Sequence, residues 1–184
     1  MVKQANTYRI QGKGTFVRKK QIIQQLDQFY SFSKVFQNHG FDLNNQIISI
    51  QEVKPSAKII ALFQQDMQEV IQLVRLRCIK NVPIILETSY LNSQLITDIE
   101  PLNELTNKNL YEILAEHFAI NIVHADEEFE ATNLTAEQSK LLEVSEGEAA
   151  IYIERLAFNE NQVLIEYCES RIKKGSFKFS MKLL

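Results

Sequence analysis

Apolar residues crowd the stretch Gln68–Leu91 in two runs, and the rest of the chain is read around it. Two β-rich runs, Val70–Ile79 and Ile84–Leu91, flank a break at Lys80-Asn81-Val82-Pro83. Asn tolerates a positive φ and Pro sets its own, so a hairpin is predicted. Side chains alternate across a strand, which puts Arg75 and Arg77 on one face with Ile71, Leu73 and Ile79. With a loop at Asn81–Pro83, Glu87 falls opposite Arg77 and Ser89 opposite Arg75. A slip of one residue would send Glu87 to the other face. Two adjacent guanidiniums match the planar oxygens of a phosphate or carboxylate. A solvated Arg–Glu cross-strand pair is the plainer account of the hairpin taken alone, and it would contribute little.

The flanking pattern supplies further elements. Arg18–Gln25 reads as a polar linker with some helical tendency, and Ser33 can cap a short helix, Lys34–Asn38, ended by Gly40. The start of that helix, Ser31-Phe32-Ser33, offers an anion cradle or simply a cap. Ile47–Val53 is a strand, and Ser56–Gln64 a helix with Ala57, Ile60, Ala61 and Phe63 on its apolar side. Leu91–Leu105 is irregular around Pro101. Asn107–Phe118 is a helix carrying Leu110, Ile113, Leu114 and Phe118, with Asn109 and Tyr111 in its first turn. Asn121–Ala131 is a strand bearing acids, and Thr135 opens another helix. Ala149–Phe158 and Val163–Ile172 form a second hairpin, and Phe177–Leu184 a last strand.

The second hairpin and its preceding helix repeat the grammar of the first. Ala57, Leu62 and Arg75-Leu76 parallel Ala136, Leu141 and Arg155-Leu156, one residue apart in spacing. An internal duplication follows. Hairpin-linked strands with a few helices between them predict an α+β fold, an antiparallel sheet with helices packed on its apolar face.

Composition narrows the options. Of 184 residues, 45% are hydrophobic and 23% charged, enough apolar content for a real core. The net charge of −3 makes the chain as a whole a poor electrostatic match for DNA. Cys78 and Cys168 lie in separate strand-like runs, which suits buried packing in a reducing cytoplasm. No apolar run approaches a membrane span. His39, His117 and His124 are scattered without metal-ligand spacing, and no nucleophile–base set is readable, so no catalytic residue, metal or cofactor is assigned.

The N-terminus differs from the rest. Lys3, Arg9, Lys13, Arg18, Lys19 and Lys20 bring six positive charges and no acid, with Gly12-Lys13-Gly14 as a turn between two short strands. YRIQGKGTFV, Tyr8–Val17, resembles the wing that closes the winged helix-turn-helix domain of GntR-family regulators. The chain starts inside that wing, so a truncated piece is expected. A wing without its helices should be displaced or disordered before about Val17.

From Leu26 to Phe179 the ordered pieces are similar to UTRA, the chorismate-lyase-like effector domain of HutC-type GntR regulators. They are Phe32-Ser33, Ala57, Arg75-Leu76-Arg77, Pro83-Ile84 with Glu87, Ser89-Tyr90-Leu91, Leu110-Tyr111-Glu112, Glu154-Arg155-Leu156 and Ile165-Glu166. The resemblance implies a wing remnant plus linker over 1–25 and an effector domain over 26–184. It implies a phosphate held by Ser31, Phe32, Ser33, Arg75, Arg77 and the helix start at Asn109 and Tyr111, with a sugar met by Glu87 and Glu166. Departures at Asn109 (usually Ser), at Ile172 (often aromatic) and at Lys174-Gly175 (usually Gly-Asp) bear on the sugar more than the phosphate. The expected partners are a phosphorylated sugar or similar anion, operator DNA through the N-terminal domain, and a second subunit, in the cytoplasm and away from membranes. A chorismate-lyase-like enzyme and a ligand-free dimerisation module are the alternatives.

Overall fold

The computed structural model describes residues 7–10, 14–17, 22–25, 43–64 and 67–181. Strands β1 (Thr7–Ile10) and β2 (Gly14–Val17) pair antiparallel, from Thr7 with Val17 to Ile10 with Gly14. The turn expected between them falls on residues 11–13, outside the described residues. Within this ladder the two short strands satisfy each other's backbone groups. The described end of the linker is a strand and not helical: β3 (Ile22–Gln25) pairs parallel with β10 (Phe177–Ser180). β-branched Ile22 and Ile23 favour that outcome.

The body is a six-stranded sheet in the order β4-β5-β6-β9-β8-β7. The strands are β4 (Leu43–Val53), β5 (Val70–Ile79), β6 (Val82–Leu91), β7 (Ile122–Asn133), β8 (Ala149–Asn159) and β9 (Leu164–Lys173). Neighbours in the sheet all run antiparallel. Helices α1 (Ala57–Phe63) and α3 (Ala136–Leu141) link β4 to β5 and β7 to β8, so strand–helix–hairpin occurs twice. The duplication read from the repeated spacing is thus a pseudo-two-fold, its axis between β6 and β9. Ser56 and Thr135 cap the two helices at equivalent places, each side chain accepting from the backbone N–H three residues on.

The helices divide between the two faces of the sheet, where one covered face was expected. On the front, a 3-10 helix (Glu100–Thr106) and α2 (Leu110–Phe118) bring Leu102, Leu105, Ile113 and Leu114 onto Ile71, Leu73, Leu91 and Ile165. On the back, Ile59 and Phe63 of α1 pack with Met67, Val70 and Tyr167, and Leu134 and Leu142 beside α3 pack with Leu76, Leu86 and Cys78. Strands read as continuous buried runs because both faces are covered: Ile71 faces α2 and its neighbour Val70 faces α1.

The back face has a polar centre. Glu128 stands opposite Glu154, and Glu154 opposite Glu169, across three adjacent strands. Like charges in register destabilise. Lys58 of α1 relieves this by bonding Glu154 and lying 3.8 Å from Glu169. The hydroxyls of Tyr152 and Tyr167, with one proton each to give, both lie within 3.0 Å of Glu154 Oε1 and Glu169 Oε1. Glu154 is held down at about 2, chiefly by the Lys58 and Tyr167 hydrogen bonds.

Candidate functional site

Period-two alternation carries one set of side chains from strand to strand across the front. Arg75 pairs with Glu87, Glu87 with Ser170, and Ser170 with Ile153; Ser89 pairs with Cys168, and Cys168 with Arg155. One end of this face is filled by the α2 cluster and the other by Ile85, Ile153 and Ile172. The polar middle is left as a pocket of about 40 Å³, walled by the sheet and by the start of α2.

The hairpin differs from expectation in register. The turn is Lys80-Asn81, both at positive φ (51° and 64°), and Pro83 lies within β6. The two-residue connection matches the twist of the strands. An irregularity between Arg77 and Cys78 then adds a residue on β6. Arg75 is therefore opposite Glu87, and Leu73 opposite Ser89, two positions from the expected pairing. A shift of two preserves the face.

Arg75 and Arg77 are each 5% exposed and Glu87 2%, so the solvated cross-strand pair is not what forms. Arg75 Nε donates to Glu87 Oε2 at 2.8 Å, and Arg77 Nη1 reaches both oxygens of the same carboxylate at 3.3 and 3.4 Å. Burial works against every one of these charges. At Glu87 the neighbouring Arg77 and Arg75 outweigh burial and hold its pKa below the ordinary carboxylate range. Burial also lowers a guanidinium's pKa; Glu87 outweighs it at Arg75, which is raised, and not at Arg77, which is lowered. Both remain cations at any pH the fold survives. Among the described residues, both guanidiniums share the carboxylate of Glu87.

The other end is differently wired. Glu166, 2% exposed, accepts from Ser89 Oγ at 2.6 Å and from the Tyr111 hydroxyl at 2.7 Å. Burial and then the Glu166 charge push the Tyr111 pKa well above its usual value, so it stays a neutral donor. Arg155 Nε donates to Glu127 at 2.7 Å, and its Nη1 lies 3.4 Å from the Tyr111 hydroxyl. Cys168, 3.5 Å from Ser170 Oγ, is pushed up to about 12 by burial and is an uncharged wall. Cys78 packs in the back core, and both thiols are unbridged.

Helix α2 begins three residues later than predicted, because Asn107 closes the 3-10 helix and Asn109 caps α2. Glu112 turns back on this start, accepting from Asn109 N at 3.2 Å and Asn109 Nδ2 at 3.0 Å. Asn109 and Tyr111 still reach the pocket wall.

Of the nine residues singled out from the sequence, Arg75, Arg77, Glu87, Asn109, Tyr111 and Glu166 line this one pocket. Ser31, Phe32 and Ser33, with the short helix expected after them, lie outside the described residues. Sequence reasoning passed over Arg155 and Glu127. The signal for Arg155 was the repeat itself, which makes it the counterpart of Arg75. Elsewhere, Glu104, Glu116 and His117 draw together in a way that suits a cation, but Lys108 already sits between the two acids at 2.7 and 2.6 Å. No described helix is long and apolar enough to cross a membrane.

This chain belongs to the UTRA domain family, whose profile matches residues 38–178, the effector domains of GntR-type HutC regulators. Among curated relatives it is 24% identical to the HTH-type transcriptional repressor NagR of Bacillus subtilis, covering 97% of this chain and 73% of the repressor. It is 22% identical to the probable fructoselysine utilization operon transcriptional repressor of Escherichia coli, over 88% of this chain and 66% of that one. PhnF from Mycobacterium smegmatis has the same fold, with a TM-score of 0.81 at 18% identity, over 97% of this chain and 78% of PhnF. The α+β antiparallel architecture expected from the sequence is that of these proteins.

Proposed function

We propose that this chain is the ligand-sensing part of a bacterial GntR/HutC-type transcriptional regulator and that it binds a small phosphorylated metabolite, a sugar phosphate. The observation that carries this is the buried pair Arg75 and Arg77, which share the single carboxylate of Glu87 at the wall of a pocket. Burying charge is costly, and two adjacent buried guanidiniums offer planar, charge-assisted donors that match the oxygens of a phosphate dianion. Glu166, Ser89 and Tyr111 then stand where hydroxyls of the same ligand would exchange hydrogen bonds. The relative named for fructoselysine utilization supports a sugar-derived effector.

In this reading Ser31-Phe32-Ser33, both arginines and the start of α2 at Asn109 and Tyr111 hold the phosphate, and Glu87 and Glu166 meet the sugar. Residues 1–25 carry the end of a DNA-binding wing and a linker, and 26–184 the effector domain. The whole regulator acts in the cytoplasm as a homodimer on operator DNA. Effector binding changes the spacing of its paired DNA-binding domains.

A thermal-shift screen of hexose 6-phosphates tests this. At a hundredfold excess over Kd a ligand adds about 2.7 kcal/mol, which in a chain of this size raises Tm by roughly 5–10 °C. Arg75→Ala should remove most of the shift. If no phosphate ester moves the wild-type midpoint, or both proteins shift equally, the reading is wrong.

A further inference from the structure

Outside the six-stranded sheet, β3 and β10 form a parallel ribbon, with Ile22 beside Phe177 at one end and Gln25 beside Ser180 at the other. Two paired strands of four residues do not hold together on their own. Phe179 of β10 ties the ribbon to the sheet. Its ring meets Phe129 of β7 edge-on, with centroids 4.9 Å apart and planes at 65°. It also packs on the aliphatic cluster that contains Ile85, Ile153 and Ile172. Phe129 is the cross-strand partner of Ile153. Ile153 belongs to two places at once: it is 1% exposed within that cluster, and it lines the polar pocket. Phe129 stays 40% exposed, so the ribbon rests at the surface of the sheet and can lift without opening the core beneath. On its other side the ribbon leads to the N-terminus. Strand β2 ends at Val17 and β3 begins at Ile22, a link that spans at most about 18 Å.

We propose that β10 is a strap through which the pocket controls the linker, with Phe179 as its clasp. Docked, Phe179 holds β3 against the effector domain; lifted, it frees β3 and the wing strands before it. The strap has two states because its own ladder is too short to persist without the ring contacts. A ligand in the pocket packs on Ile153 and fixes the wall on which Phe179 rests. Close-packed groups pass that constraint on, which favours the docked state. By linkage, loosening the strap weakens the ligand by the factor with which the ligand tightens the strap. This rests on the reading of the pocket as the effector site, and it adds the route by which occupancy reaches the DNA-binding part.

The test is amide hydrogen exchange on the full chain, with and without the hexose 6-phosphate that gives the largest thermal shift, for wild type, Phe179→Leu and Phe179→Ala. In the wild type the ligand should slow exchange at the start of α2, which lines the pocket, and by about fivefold or more at Ile22–Gln25. In Phe179→Ala the start of α2 should still be slowed, while Ile22–Gln25 exchange fast with or without ligand. Phe179→Leu, which keeps an apolar side chain but no ring, should fall between and serves if the alanine variant does not fold. Slowing at α2 with no change at Ile22–Gln25 in the wild type overturns the strap and leaves the effector site standing. Equal slowing at Ile22–Gln25 in the wild type and the Phe179 variants overturns it too, and gives Phe179 a purely structural role. No slowing at α2 with any hexose 6-phosphate removes the effector site, and the strap with it.

Discussion

The two halves of the sheet share a backbone plan and differ in what they place at equivalent points. Matching Arg75 to Arg155 aligns the registers of the inner strands. Ser89 then corresponds to Ser170 and Leu91 to Ile172, which keep their character. Four positions do not: Glu87 answers to Cys168, Arg77 to Ala157, Ile47 to Glu127 and Ile85 to Glu166. A symmetric scaffold has become a polar cleft with a direction, by exchanging charged for apolar side chains at mirrored sites. Packing conserves the serines and the aliphatic ends, and the substitutions concentrate where the two halves meet the pocket.

The sharpest way to break this comparison is to remove each arginine's carboxylate. Glu87→Gln strands two buried guanidiniums and should cost about 3–5 kcal/mol. Glu127→Gln affects one arginine at the sheet's outer side and should cost about 1–3 kcal/mol. Denaturant unfolding of both variants decides it. Equal losses would mean the halves are electrostatically alike.

Acid should act on the first half before the whole. Glu87 has a depressed pKa in the folded chain, so its contribution is complete above the ordinary glutamate value of about 4.3 and is lost as pH falls through the folded value. Glu154 follows the same sign, between that ordinary value and about 2. Stability of the wild type should therefore fall below about pH 4 more steeply than that of Glu87→Gln. Parallel curves would show that Glu87 is not the controlling acid.

The smallest effect concerns the turns. The first hairpin closes in two residues, with Lys80 at a φ of 51°. The second takes a longer path organised by Asn159, whose side chain accepts from the N–H groups of Asn161 and Val163. Lysine is an uncomfortable occupant of the left-handed region, so Lys80→Gly should stabilise by about 0.5–1 kcal/mol. A lower melting point in that variant would show the turn to be unstrained.

These contrasts also explain what could be seen in the sequence. The face shared by Arg75, Arg77 and Glu87 was legible because alternation survives any even error in register, and the error made was of two. The exact pairing was not legible, since it depends on a bulge that leaves no mark in composition. The repeat was visible in the helix-to-arginine spacing, yet Arg155 escaped because its neighbours, Ala157 and the acidic β7, do not look like those of Arg75. The helix start at Thr135 was readable from local chemistry, whereas Ser56 was read as the first residue of its helix and is its cap. Which side of the sheet each helix covers was not, because strands buried on both faces give a helix no hydrophobic side to prefer.

Arg155 and Glu154 are consecutive residues on β8, and alternation sends one to the pocket and the other to the lysine that fastens α1 on the opposite surface. A single peptide unit thus joins the cleft to the far side of the molecule. The two anchor points lie one residue apart along the strand, a one-residue covalent path through the thickness of the sheet.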